Sequence, residues 1–210
     1  MIVLRELLDK IYAINPSTKL VAVSKNVTSK EVLELYNQGQ IDFGENRVQE
    51  LAKKQSELSN LNIKWHMIGR LQSNKINQLI SLRPALWQSC DSFKRAKEVD
   101  KRLDYKLDTL LQINSADEIS KQGVGFDEAI DVYLRIKQEC KNLNLVGVMS
   151  IGAHTDNVCD VQKSFEMTYK IFENLQNQGA VVCSMGMSQD YELALKTGSN
   201  MLRIGSMLYV

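Results

Sequence analysis

Short apolar runs recur along the chain, separated by amphipathic stretches of helical period. The runs occupy positions 20–23, 41–43, 63–68, 85–90, 109–113, 145–151, 181–185 and 201–204. Each is of strand length, and most lack the polar alternation of a half-exposed strand. They therefore predict strands covered on both faces, as in a parallel sheet. Between them, Thr28 and Glu31 form a capping-box pattern that opens a helix carrying Val32, Leu35 and Tyr36. Further helices are expected over about 46–58, after Ser73, from about Asp91 and Ser92, and after Ser188. Two more are marked by apolar residues three or four apart: Ala129, Ile130, Tyr133 and Ile136, then Val158, Val161, Phe165, Tyr169, Phe172 and Leu175. An additional helix at about 2–14 precedes the first strand.

Eight strands alternating with helices predict an α/β fold, a single (β/α)8 TIM-type barrel spanning 1–210. The sequence ends at Val210, five residues beyond Gly205, so no helix is expected after the eighth strand. The N-terminal helix is expected to pack on the barrel in that place. The competing arrangement is an open doubly wound sheet, but no GxGxxG follows the first strand.

Composition narrows the function classes. Twenty-six basic and 25 acidic residues nearly cancel, so neither nucleic acid nor an anionic membrane surface is an expected partner. No apolar stretch approaches the ~18 residues of a membrane span, and the charged residues Arg5, Glu6, Asp9 and Lys10 break any signal-peptide core. Cys90, Cys140, Cys159 and Cys183 form no CxxC pair, and with only His66 and His154 no zinc spacing can be assembled. Scattered cysteines suit a reducing cytoplasm.

Barrel function sits at the C-terminal ends of the strands. Lys25 ends the first apolar run, where partial burial would free its amine for imine formation; a lysine simply leaving the strand for solvent is the alternative. The second run exits through Gly44 and Asn46, the latter a helix cap or a ligand contact. His66, alone in the third run, reads as a hydrogen-bonded core residue, and Ser73 or Asn74 as the next helix cap. Ser188 follows the seventh run, and Gly205 and Ser206 follow the eighth, where barrels often bind phosphate. Individually, Ser188 fits an N-cap and Gly205 a turn. Arg203 lies inside the last strand and needs a carboxylate, a phosphate or a ring-nitrogen acceptor. A lysine and a phosphate site together leave two choices: a sugar-phosphate aldolase, or a protein that binds pyridoxal 5'-phosphate (PLP).

The segments 22–25 (AVSK), 43–46 (FGEN) with 48–50 (VQE), 65–69 (WHMIG) with 71–75 (LQSNK), 184–188 (SMGMS) and 203–205 (RIG) resemble the YggS/PROSC family of PLP homeostasis proteins. The resemblance runs in the same order from about position 20 to 206. It implies a fold like the N-terminal barrel of alanine racemase, fold-type III among PLP proteins, and a Schiff base between PLP and Lys25. It further implies that Ser188, Gly205 and Ser206 hold the phosphate, that Asn46 lines the site, and that Arg203 faces the pyridine nitrogen. A guanidinium has no acceptor and would keep that nitrogen unprotonated, which weakens the ring as an electron sink. The family is regarded as PLP carriers or regulators without an established catalytic activity, so no catalytic residue is assigned. The expectation is a cytoplasmic monomer whose partners are PLP and, further, apo PLP-dependent enzymes. A racemase-like PLP enzyme is the alternative, and a lysine-imine aldolase and a pure interaction protein stand behind it. Three departures from the family pattern touch the rim of the site: a shorter N-terminal helix, a proline-free exit at 149–154 and an early end at Val210.

Overall fold

All eight apolar runs form strands, and each strand pairs in parallel with the next in chain order. The strands are β1 (Lys19–Val23), β2 (Asp42–Glu45), β3 (Lys64–Met67), β4 (Leu86–Cys90), β5 (Leu107–Ile113), β6 (Leu143–Ser150), β7 (Val182–Ser184) and β8 (Met201–Ile204). β8 returns to β1 in register from Lys19 opposite Met201 to Ala22 opposite Ile204, which closes the barrel. The open doubly wound alternative is thereby excluded. The computed structural model describes residues 4–115, 122–153 and 155–209. The expected helix start at Ile2, His154 of the 149–154 exit, and Val210 lie outside these residues.

The connecting helices are α1 (Leu4–Ile14), α2 (Ser29–Asn37), α3 (Val48–Glu57), α4 (Ile76–Leu82), α5 (Phe93–Asp100), α6 (Ala129–Glu139), α7 (Val158–Leu175) and α8 (Tyr191–Lys196). α2 begins as its capping box dictates: the Glu31 carboxylate accepts the Thr28 N–H at 2.7 Å and the Thr28 hydroxyl at 2.9 Å. Ser92 caps α5 by accepting the Arg95 N–H at 3.2 Å. α1 buries Leu4, Leu7 and Ile11 in the main core, and the Asn15 side chain just beyond it donates to the Ser199 carbonyl at 3.3 Å. No helix follows β8 among the described residues.

Three helix starts differ from expectation. α3 begins at Val48 with Arg47 as its N-cap, so Asn46 is not the cap. Ser73–Lys75 is a 3-10 turn and Lys75 precedes α4 as N-cap; the Ser73 hydroxyl instead meets Glu98 and Arg95. α8 begins at Tyr191, which leaves Ser188 in a turn before the helix. In each case a polar residue suited to capping is drawn into a tertiary contact or a loop, which local pattern does not encode.

Strand alternation divides the core in two. Leu20 and Ala22 of β1, Trp87 of β4, and Leu202 and Ile204 of β8 join the helices in the outer cluster. Val21, Leu86, Leu110, Met149 and Met201 meet inside the barrel as an apolar floor. One inward step further toward the C-terminal ends, Leu86, Val182 and Met201 give way to Gln88, Ser184 and Arg203, all buried. On β4, β7 and β8 the barrel interior therefore changes from apolar to polar toward the mouth, while on β3 the polar His66 stands opposite Leu86.

The mouth also depends on a close backbone approach. A Cβ on Gly69 would stand 2.1 Å from the Asn46 carbonyl oxygen, so only glycine lets the β3 exit pass the β2 exit. The Ser89 hydroxyl donates to the Gly69 carbonyl at 2.6 Å from the next strand. Gly69→Ala is expected to lower stability by about 2 kcal/mol or more, read as a drop in the urea midpoint at unchanged slope.

Candidate functional site

The β1 exit is held from behind. Ser24 is fully buried; its N–H donates to the Gly44 carbonyl at 2.9 Å and its hydroxyl to Glu45 Oε1 at 2.8 Å. Lys54, from α3, reaches the Ser24 carbonyl and Glu45 Oε1, each at 2.5 Å. Lys54 is 3% exposed and Glu45 0%. Lys25 follows directly in a turn with Asn26, whose φ of 66° is left-handed. The partial burial expected for Lys25 is not observed: it is exposed, because the chain leaves the barrel wall at Ser24. Its amine is thus presented to solvent on a backbone that the Glu45–Lys54 pair fixes.

One side of that pair is unfinished. Glu45 Oε2 and the Tyr209 hydroxyl are buried with no hydrogen-bond partner among the described residues. Burial pushes the Tyr209 phenol well up, and the charges of Glu45 and Glu31 push it further.

The β7 and β8 exits meet. The Gly205 N–H points to the Ser188 hydroxyl oxygen at 3.4 Å, and the Leu208 N–H closes a turn on the Gly205 carbonyl at 2.9 Å. Ser188 is half-buried and Ser206 exposed. The helix-start argument for Ser188 does not hold, since α8 is six residues long and begins three residues later. What remains is a hydroxyl beside a backbone N–H. A Cβ on Gly205 would approach the Val23 carbonyl to 3.3 Å, which ties this turn to the end of β1. Asn46 is exposed beyond β2.

Arg203 is 4% exposed. Its guanidinium donates to Ser184 Oγ and to the Ser150 carbonyl, both at 2.7 Å. The Thr168 hydroxyl in turn meets Ser150 Oγ at 2.8 Å. Burial pushes the Arg203 pKa down to about 10, opposed by the charge of Asp190 and by Cys183. It stays cationic at neutral pH on two neutral acceptors; of the carboxylate, phosphate or ring-nitrogen partner expected, no hydrogen-bonded carboxylate occurs among the described residues.

Sequence reasoning missed the pair Glu45–Lys54, and Gln88 and Ser184 inside the barrel. Gln88 and Ser184 did leave a signal: a polar residue at an inward position of an otherwise apolar strand needs a partner. His66 is the hydrogen-bonded core residue expected, with Nε2 2.9 Å from Asp42 Oδ1 and Nδ1 2.9 Å from Gln88 Nε2. Beside the β6 and β7 exits a cleft of about 940 Å³ opens between Ile151, Asp156, Val158, Met187, Asp190 and Lys196. It flanks the Ser188 turn rather than Lys25. No group of three or more potential metal-ligating side chains occurs among the described residues.

Residues 4–210 match the family model described as alanine racemase, N-terminal domain. The chain is 50% identical over 201 residues to the pyridoxal phosphate homeostasis protein of Helicobacter pylori, covering 94% of this chain and 90% of that one. It is 37% identical over 214 residues to the human protein of the same name, covering 94% and 77%. The chain belongs to the pyridoxal phosphate homeostasis protein family.

Among solved structures, this family member is similar to PipY of Synechococcus elongatus, a structure without PLP, at 31% identity and a TM-score of 0.89, covering 97% of this chain and 98% of that one. A second PipY structure, with PLP bound, matches at 29% identity and a TM-score of 0.83, covering 97% and 100%. Alanine racemase of Clostridium difficile shares 17% identity at a TM-score of 0.78, covering 98% of this chain and 56% of that one, and so shares the fold alone.

Two outcomes are expected from this geometry. Lys54→Met strands the buried Glu45 carboxylate and should cost about 3–5 kcal/mol in urea unfolding, whereas Glu45→Leu with Lys54→Met should recover most of that loss. At Asp42, burial pushes the carboxyl up, but the His66 hydrogen bond and the positive charges of Lys19 and Lys64 work against it, and the pKa is lowered. A lowered pKa stabilises the fold above the ordinary Asp value of about 3.9 and loses that contribution as pH falls through the lowered one. Melting curves from pH 7 down to 3 should therefore fall less steeply for Asp42→Asn than for the unmodified protein.

Proposed function

We propose that this chain binds PLP covalently through Lys25 and serves as a non-catalytic carrier or regulator of the cofactor. The observation that carries the reading is the convergence of three adjacent strand exits. The exposed Lys25 amine, the Ser188–Gly205 pair and the buried Arg203 cation come from β1, β7 and β8, which the barrel closure makes neighbours. The donor set suits the cofactor: an amine for its aldehyde, a hydroxyl with a backbone N–H for its phosphate, and a fixed cation near its ring. The names of the relatives and the PLP-bound PipY structure support the same reading.

PLP supplies an aldehyde that an amine captures reversibly. In this reading Lys25 offers that amine from a turn fixed by the buried pair behind it. Ser188, Gly205 and Ser206 would hold the phosphate, and Asn46 would line the site from the β2 side of Lys25. Arg203 would donate toward the ring nitrogen, and a guanidinium there would leave it without a proton. An unprotonated ring draws electrons weakly, which suits storage better than turnover. The exposure of Lys25 suits exchange with other amines, including those of apo-enzymes that require the cofactor. The reading takes the protein as a cytoplasmic monomer. Its four cysteines are free thiols, as a reducing compartment requires, and no helix among the described residues is long and apolar enough to cross a membrane. The racemase alternative gains nothing from the 17% likeness to alanine racemase, and two-base racemisation would need a second acid/base facing the lysine.

Adding PLP to the purified protein, reducing with borohydride and mapping peptides by mass tests the assignment. Pyridoxyl on Lys25, lost in Lys25→Ala, is the expected result. The substitution should change stability by no more than about 0.5 kcal/mol, since the side chain is exposed. Pyridoxyl on another lysine would move the site, and none at all would remove the cofactor. Racemisation or decarboxylation at roughly 1 per second would replace the carrier reading with an enzyme.

A further inference from the structure

Four hydrogen bonds cross the barrel interior in one line. Arg203 meets Ser184 Oγ at 2.7 Å, Ser184 Oγ meets Gln88 Oε1 at 2.7 Å, Gln88 Nε2 meets His66 Nδ1 at 2.9 Å, and His66 Nε2 meets Asp42 Oδ1 at 2.9 Å. All five side chains are buried. With the Gln88 amide oxygen toward Ser184 and its nitrogen toward His66, the direction of every bond follows from the two ends for a neutral imidazole. A guanidinium only donates, so Ser184 Oγ accepts and sends its own hydrogen to Gln88 Oε1. The Gln88 amide then turns its N–H to His66, a sense reinforced by Met201 Sδ at 3.4 Å from the same nitrogen. His66 accepts on Nδ1, so its proton lies on Nε2 and points to the Asp42 carboxylate.

We propose that Asp42, His66, Gln88 and Ser184 act as a positioning relay that sets the direction of the Arg203 guanidinium at the barrel mouth. The chain leaves Arg203 no neutral side chain free to turn independently: each member from Ser184 to Asp42 is held by the next. In a low-dielectric interior, bonds aligned in this way polarise one another. The relay spans the apolar-to-polar change in the interior: Gln88 and Arg203 each stand one inward step above a floor residue, Leu86 and Met201. Two of the guanidinium's donors are anchored, on Ser184 and Ser150; in the PLP reading the remaining donors would serve the ring.

This inference rests on the PLP reading, and the test separates the two. Gln88→Met keeps side-chain length while cutting the relay two bonds away from Arg203. The visible band of the lysine-bound cofactor and its pH titration are compared among the unmodified protein, Gln88→Met, Arg203→Met and the double variant. Gln88→Met is expected to shift the titration in the same direction as Arg203→Met and to loosen PLP roughly tenfold, with no further change in the double variant. Leu110→Val, which alters the floor without touching the relay, should leave the band in place. A Gln88→Met band identical to the unmodified one, with pyridoxyl still on Lys25, overturns the relay and leaves the PLP reading standing. An unchanged band in Arg203→Met does the same. Absence of pyridoxyl from Lys25 in the unmodified protein defeats the PLP reading and the relay with it. In the unmodified protein, histidine nitrogen NMR should show His66 protonated on Nε2 alone; a proton on Nδ1 overturns the relay whether or not any variant folds.

Discussion

The pairing of β8 with β1 is the contact on which the rest depends. Until it forms, the chain is a row of parallel strands with two exposed edges, and its first and last strands have no reason to meet. Once it forms, the end of β1, two residues before Lys25, stands beside Gly205 near the other end of the sequence. No local preference brings these residues together. The proposed site is a product of closure, and closure requires every strand to keep its register around the ring. Parallel pairing between distant segments is slow to assemble, because the ordering of the intervening chain comes before the contacts that offset it.

Around that seam the molecule uses buried charge in two ways. Glu45 and Lys54 lie outside the barrel wall and fix the backbone just before Lys25, while Arg203 lies within it on neutral acceptors. Each is costly to desolvate, and each is tolerated where hydrogen bonds are nearly complete. Gly69 serves the same region by a different route, letting two strand exits run closer than any side chain would permit.

Much of this was legible in the sequence. The eight strands, their order and the helical faces follow from apolar runs and spacing, because burial on both sides of a parallel sheet leaves a continuous apolar signature. The capping box at Thr28 and Glu31 was equally plain, being wholly local. The helix starts at Val48, Ile76 and Tyr191 were not, because Asn46, Ser73 and Ser188 are sound caps by type and only the fold assigns them elsewhere. The exposure of Lys25 was likewise hidden: four apolar neighbours say where a strand runs, but not where the chain departs from its wall. Lys54 illustrates the limit best. On an amphipathic helix it reads as a solvent-facing lysine, and only a buried Glu45 on another element turns it inward.

The apolar floor has a further consequence. Val21, Leu86, Leu110, Met149 and Met201 plug the barrel beneath its polar layer, so the interior is a cup rather than a tube. A molecule received at the strand exits has no second way out, and arrival and departure share a single rim. Whatever removes it must therefore approach over the same turns that received it.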